Sequence, residues 1–196
     1  MNLICECDKE TFLLVSRNIP ELNEAGRHIR ESTFPVYVSK ELNLERLLNL
    51  LKTPDSGILV FDADAKVVVD LLESGTAPNQ IILCGTMEHS AKEHHAIRNS
   101  RIREFTMKTI SFDGISDVCD SVMENANRFS ALFLLVHLSV LDSACTKGGS
   151  PAGMSSRELV YFIQRLKNLR NLAAADFCGV TSEDAKLISK LVAECL

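Results

Sequence analysis

After residue 55 the chain alternates between short, uninterrupted apolar runs and stretches whose apolar residues recur at helical spacing. Nothing else in the sequence constrains the fold as much. A strand covered by helices on both faces has no polar side to show, so it reads as a continuous apolar run. The expected strands are Leu3–Cys7, Phe12–Val15, Val36–Val38, Ile58–Phe61, Ile81–Cys84, Ile102–Phe105, Ala131–Val140 and Leu172–Cys178. Helical patterns fill the intervals at Leu42–Leu51, Ala65–Ser74, Ala91–Asn99, Ile115–Asn127, Ser155–Asn168 and Ser182–Leu196. The pattern predicts an α/β fold: three α/β/α layers around a mainly parallel sheet.

Helix starts agree with this reading. Ser155 and Glu158 have capping-box spacing, and Leu159, Phe162, Ile163 and Leu166 follow as one apolar stripe. Thr181, with Asp184 three residues on, opens the last helix, whose Leu187, Ile188, Leu191 and Val192 face the sheet. The 196 residues contain no internal repeat and no long Pro/Gly linker, so a single domain over residues 1–196 is expected. The longest expected loop, Ser143 to Met154, follows the carboxyl end of the longest strand, where open α/β sheets bind ligands.

A net charge of −5 with scattered Lys and Arg argues against nucleic acid or an anionic membrane as partner. No apolar run approaches the roughly 20 residues that span a bilayer, and MNLICECDKE lacks the basic start of a signal peptide. The seven cysteines are odd in number and include no C-x-x-C pair. Neither a disulfide framework nor a zinc ribbon is indicated, and a reducing cytoplasm is the expected compartment.

Two acids, Asp62 and Asp64, stand two residues apart at the end of the GILVF strand. Such a pair at the mouth of a parallel sheet can hold a divalent cation; the favoured reading is two solvated acids at a strand-to-helix turn, with Asp64 near the N-cap. His89, His94 and His95 match neither H-E-x-x-H nor its inverted form, and they read as a solvated helix start. His28, between Arg27 and Arg30, has no obvious partner, and Cys145 sits in a Gly-rich loop without a neighbour that would activate it. Nucleophile-elbow and phosphate-cradling motifs are absent.

Leu134 to Glu158, LLVHLSVLDSACTKGGSPAGMSSRE, is laid out as an apolar strand, a Leu-Asp corner, a Gly/Pro loop and a capped helix. Leu141, Asp142, Ala144, Gly149, Pro151, Gly153, Ser155 and Glu158 resemble the late signature of the ureohydrolases: arginases, agmatinases and formiminoglutamases. The resemblance implies an arginase-like fold and two manganese ions that turn a bridging water into the attacking hydroxide. It also exposes departures. Where the family strand ends in Asp-x-Asp, this chain has His137 and Ser139. Where the family has D-A-H-x-D, Asp62 matches the first acid, while Asp64 and Lys66 replace the histidine and the second acid. Lys40 and Glu41 stand loosely where an Asp-His pair is expected, and with Asp176 matched to the family's D-x-x-E, Gly179 replaces the glutamate that grips a guanidinium.

On this resemblance the chain is expected to be a ureohydrolase frame without most dimanganese ligands and without the guanidinium clamp. It would then be catalytically inactive, need no cofactor, and act by binding, as a homo-oligomer or with a protein partner. The alternative is a metal-dependent C–N hydrolase, using manganese in a site rebuilt from Asp62, Asp64 and His137. A third possibility, an unrelated small-molecule binder, requires that the strands ending at Asp62 and Ser139 not be close neighbours.

Overall fold

A computed structural model of the chain describes residues 3–6, 34–87 and 89–195. Their strands are β1 (Leu3–Glu6), β2 (Val36–Ser39), β3 (Ser56–Phe61), β4 (Ile81–Thr86), β5 (Arg103–Thr106), β6 (Ala131–His137) and β7 (Leu172–Cys178). These make one seven-stranded sheet in the order β1-β2-β7-β6-β3-β4-β5, with every pairing parallel. The strand expected at Phe12–Val15, together with His28 and Cys7, lies outside the described residues.

The helices are α1 (Leu44–Leu50), α2 (Lys66–Glu73), α3 (Ala91–Ser100), α4 (Met107–Asp113), α5 (Ile115–Ala126), α6 (Ser156–Leu166) and α7 (Ala185–Cys195). Side chains alternate across the sheet as the strand period requires. Leu59, Phe61, Leu134 and Val136 face α4 to α7, where they meet Val122, Phe162 and Ile188. Ile58, Val60, Phe133 and Leu135 face the other way, onto Leu47, Val68 and Ile97 of α1 to α3. The three expected layers are therefore present, and β3 and β4 are buried along their whole length. Among the described residues, no helix is long and apolar enough to cross a membrane.

Capping sets the helix boundaries. Ser155 Oγ accepts from Glu158 N at 3.2 Å and Glu158 Oε2 accepts from Ser155 N at 2.8 Å, closing the expected box ahead of α6. The short α4 has no counterpart among the expected helices. Its start is held by Thr106, whose hydroxyl accepts from Thr109 N at 3.1 Å, and it ends at Gly114. The strand expected to reach Val140 stops at His137, because Leu138–Val140 forms a 3-10 turn closed from Leu141 N to Leu138 O. The last helix likewise opens with a 3-10 turn, Ser182–Asp184, before α7 begins.

Chain direction creates a crevice. After β3 the chain passes through α2 to β4 on one side; after β6 it passes through α6 to β7 on the other. Adjacent strands whose connections diverge leave a gap at their carboxyl ends, where open sheets bind ligands. β3 and β6 are that pair, in register from Ser56↔Ala131 to Phe61↔Val136.

Candidate functional site

Asp62 follows directly on β3, and His137 ends β6, so the register alone brings them to the crevice. The 3-10 turn after His137 then swings Ser139 back over Asp62. Ser139 Oγ donates to Asp62 Oδ1 at 2.5 Å, and His137 Nδ1 lies 2.7 Å from Ser139 Oγ and 3.4 Å from Asp62 Oδ1. The strands are close neighbours, which removes the unrelated binder that required them to be apart. Asp62 is 2% exposed, so it is not one of two solvated acids at a turn.

The Ser139 hydroxyl has no capacity left. A hydroxyl offers one proton and two lone pairs. Its proton goes to Asp62, and it accepts from Ala63 N at 3.3 Å and from His137 Nδ1 when that nitrogen carries a proton. Ser139 N–H also points at Nδ1 from 3.3 Å, a bond that exists only when Nδ1 is unprotonated. The Asp62 carboxylate selects between the two. Its hydrogen bond raises the His137 pKa above 6.5, and the charges of Asp62 and Asp64 add to this, against burial and the Lys66 ammonium.

Asp64 turns outward. Its Oδ1 accepts from Lys66 N at 2.9 Å at the start of α2, the N-terminal role expected of it. Partial burial and the nearby Asp62 push its carboxyl above the ordinary range. Lys66 is exposed at the first position of α2, close enough for its charge to be felt at His137. Beside these residues lies a pocket of about 310 Å³ lined by Ala63, Asp64, Met87, Ser139, Ser150 and Pro151. Of the expected site residues, Asp62, Asp64, Lys66, His137, Ser139 and Gly179 come together here. Lys40 and Glu41 are exposed beyond the end of β2.

Gly179 meets His137. It has φ +75°, and a Cβ built on it would be 3.1 Å from His137 Nε2. The imidazole occupies the space into which a longer side chain at 179 would extend. Asp176 is elsewhere, under α1: its Oδ2 accepts from Arg46 Nη2 at 2.5 Å, and Ser39 Oγ donates to its Oδ1 at 3.4 Å. Burial pushes the Asp176 carboxyl up, partly offset by Arg46. Arg46 also stacks over Tyr37, 4.1 Å from the ring centroid, and its Nη1 lies 2.7 Å from Glu6 Oε1. Nothing in the sequence marks Arg46, a single cation in an ordinary helix 130 residues from its partner.

The Ser143–Met154 loop is a framework. Leu141 and Asp142 exchange backbone bonds with Ser150 and Met154, and Asp142 Oδ1 accepts from Ala144 N at 2.8 Å. Gly149 and Gly153 press against this corner; a Cβ on either would meet Leu141 or Asp142 backbone at 2.5–2.6 Å. Thr146 Oγ1 ties the loop to Asp184 at 2.6 Å. In the histidine-rich segment, His94 and His95 are exposed as expected, and Ser90 and Glu93 form a capping box. His89 departs from that expectation: its Nε2 lies 2.6 Å from Glu104 Oε1, which also accepts from Thr86 Oγ1 at 2.5 Å.

Two manganese ions require several anionic or imidazole donors converging at about 2–2.3 Å. This donor set does not match. Asp62 is engaged by a saturated hydroxyl and an imidazole, Asp64 is turned to the start of α2, and Lys66 adds positive charge. Among the described residues, no group of three His, Cys, Asp or Glu side chains is placed to hold a metal ion.

A family model described as the arginase family matches residues 53–194. The fold is similar to the arginase of Bacillus cereus, with TM-score 0.75 and 17% identity over 94% of this chain and 76% of that one. It is also similar to a cold-adapted arginase from the psychrophilic yeast Glaciozyma antarctica, with TM-score 0.77 and 14% identity over 99% and 92%. Formimidoylglutamase from Bacillus subtilis gives TM-score 0.75 and 14% identity over 94% and 65%. At such identities the structures speak to the fold, and no curated protein matches by sequence.

Proposed function

Because the chain belongs to the arginase family, we propose that it is a ureohydrolase frame without a dimanganese centre, acting by binding rather than by guanidine hydrolysis. The observation that carries this reading is the Asp62–Ser139–His137 relay. The one acid that keeps the family's type and place spends its charge on an internal hydrogen bond. Lys66 and Gly179 support the same reading: the first adds positive charge, and the second leaves no carboxylate to grip a guanidinium. The function left to such a frame is self-association or capture of a protein partner. A reducing cytoplasm is the compartment we propose. The free thiols of Cys84, Cys119, Cys145, Cys178 and Cys195 suit it, and burial pushes Cys119 up to about 11.

A second reading rests on the 3.4 Å approach of His137 Nδ1 to Asp62 Oδ1. Rotation of Ser139 would release both groups, and Asp64 would also have to turn away from Lys66 N to complete a single-metal site for metal-dependent C–N hydrolysis. The test is metal analysis of the full chain purified with manganese or zinc, a urea assay on guanidine compounds, and light scattering for assembly state. Metal well below one ion per chain with no urea release supports the binding frame. One bound metal with C–N hydrolysis establishes the second reading, and two manganese ions with urea release overturn the proposal.

A further inference from the structure

The opposite end of the sheet carries a pocket of about 410 Å³ around the amino ends of β4 and β5, and three arginines line it: Arg101, Arg103 and Arg128. They reach it from separate places. Arg101 is the left-handed cap of α3, Arg103 begins β5, and Arg128 follows α5. In a chain of net charge −5 this is a local reversal of sign. Neutralisation within the protein is slight. Among the described residues, Arg101 and Arg103 have no ion-pair partner, though the Arg103 guanidinium lies over the Phe105 ring at 5.6 Å, and Arg128 reaches only Glu124 at 3.8 Å. Asp55 is the single carboxylate among the lining residues, against three arginines.

Two features make the pocket a prepared one. Gln80 Nε2 fastens its border, donating to Thr53 O and Ser56 O at 3.0 Å each. Arg101 holds φ at 55°, a conformation where helix ends ordinarily use glycine or asparagine. A long cationic side chain kept at such a position suggests a use for its charge. Guanidinium forks match the paired oxygens of phosphate and carboxylate groups, and several forks around one cavity favour a ligand with more than one such group.

We propose that this pocket binds a small polyanion bearing phosphate or carboxylate groups, at the end of the sheet remote from Asp62. The test is titration calorimetry on the full chain with pyrophosphate, with citrate, and with sodium chloride at matched ionic strength. Arg101→Gln, Arg103→Gln and Arg128→Gln are compared with Lys186→Gln, an exposed cation on α7 outside the pocket. The three arginines are exposed, so their replacement leaves folding intact, which a thermal melt verifies. The expected result is saturable binding of pyrophosphate or citrate, weakened at least about tenfold by each arginine change and unaltered in Lys186→Gln. Tighter pyrophosphate binding identifies a phosphate ligand, and tighter citrate binding a carboxylate one. Heats no larger than those of chloride, or an equal loss in Lys186→Gln, would overturn the proposal.

Discussion

His137 stands where a side chain on Gly179 would have to go, with only 3.1 Å between its Nε2 and a Cβ built on the glycine. His137 ends β6 and Gly179 follows β7, and the register pairs His137 with Cys178, so the contact follows from strand pairing.

Restoring an acid at this point should therefore fail locally. Gly179→Glu combines a side chain at φ +75° with the imidazole contact, and a loss of about 2 kcal/mol is expected. In a His137→Ala background the same change should cost less, since only the backbone penalty remains. Urea unfolding of the two single variants and the double variant measures the difference.

The His137 pKa gives a pH dependence with a definite sign. Its folded value is raised above 6.5, first by the Asp62 hydrogen bond, so stabilisation is fully present below pH 6.5 and fades as pH rises through the folded value. Urea midpoints from about pH 5.5 to about pH 8.5 should show this slope in the native chain and lose it in Asp62→Asn. Lys66→Gln removes a charge that lowers the pKa, so the imidazole signals should titrate at higher pH by NMR.

Arg46 and Asp176 should be strongly coupled. Their side chains are 12% and 5% exposed, and removing either leaves a buried charge behind. Arg46→Ala or Asp176→Ala should each cost about 3–5 kcal/mol, with the double variant well short of the sum. A thermodynamic cycle in urea measures the coupling.

Phe162 packs edge-on against Phe61, with centroids 5.2 Å apart at 67° and both rings fully buried. Phe162→Ala should destabilise by about 3–5 kcal/mol. Ser155→Ala, which removes one bond of the cap of the same helix, should cost only about 1 kcal/mol. Thermal and urea unfolding together rank the two.

Architecture was legible because its cause is local. Burial on two faces writes apolar runs such as ILVF and IILC directly into the chain, and Ser155 and Glu158 announce α6 within four residues. The short α4 escaped notice because its cap at Thr106 is also the last residue of β5. The turn at Leu138–Val140 escaped because all-apolar neighbours hide the break.

Sequence alone determined the layered parallel fold, the glycine-braced loop and the residue types at 64, 66, 137, 139 and 179 that depart from the family pattern beside the matching acid at 62. Tertiary structure decided what those residues do to one another. Asp62 is claimed by Ser139 from 77 positions away, and Asp176 by Arg46 from 130. Hydrogen bonds and charges act through space over a few ångströms, and only strand order sets which distant residues come that close.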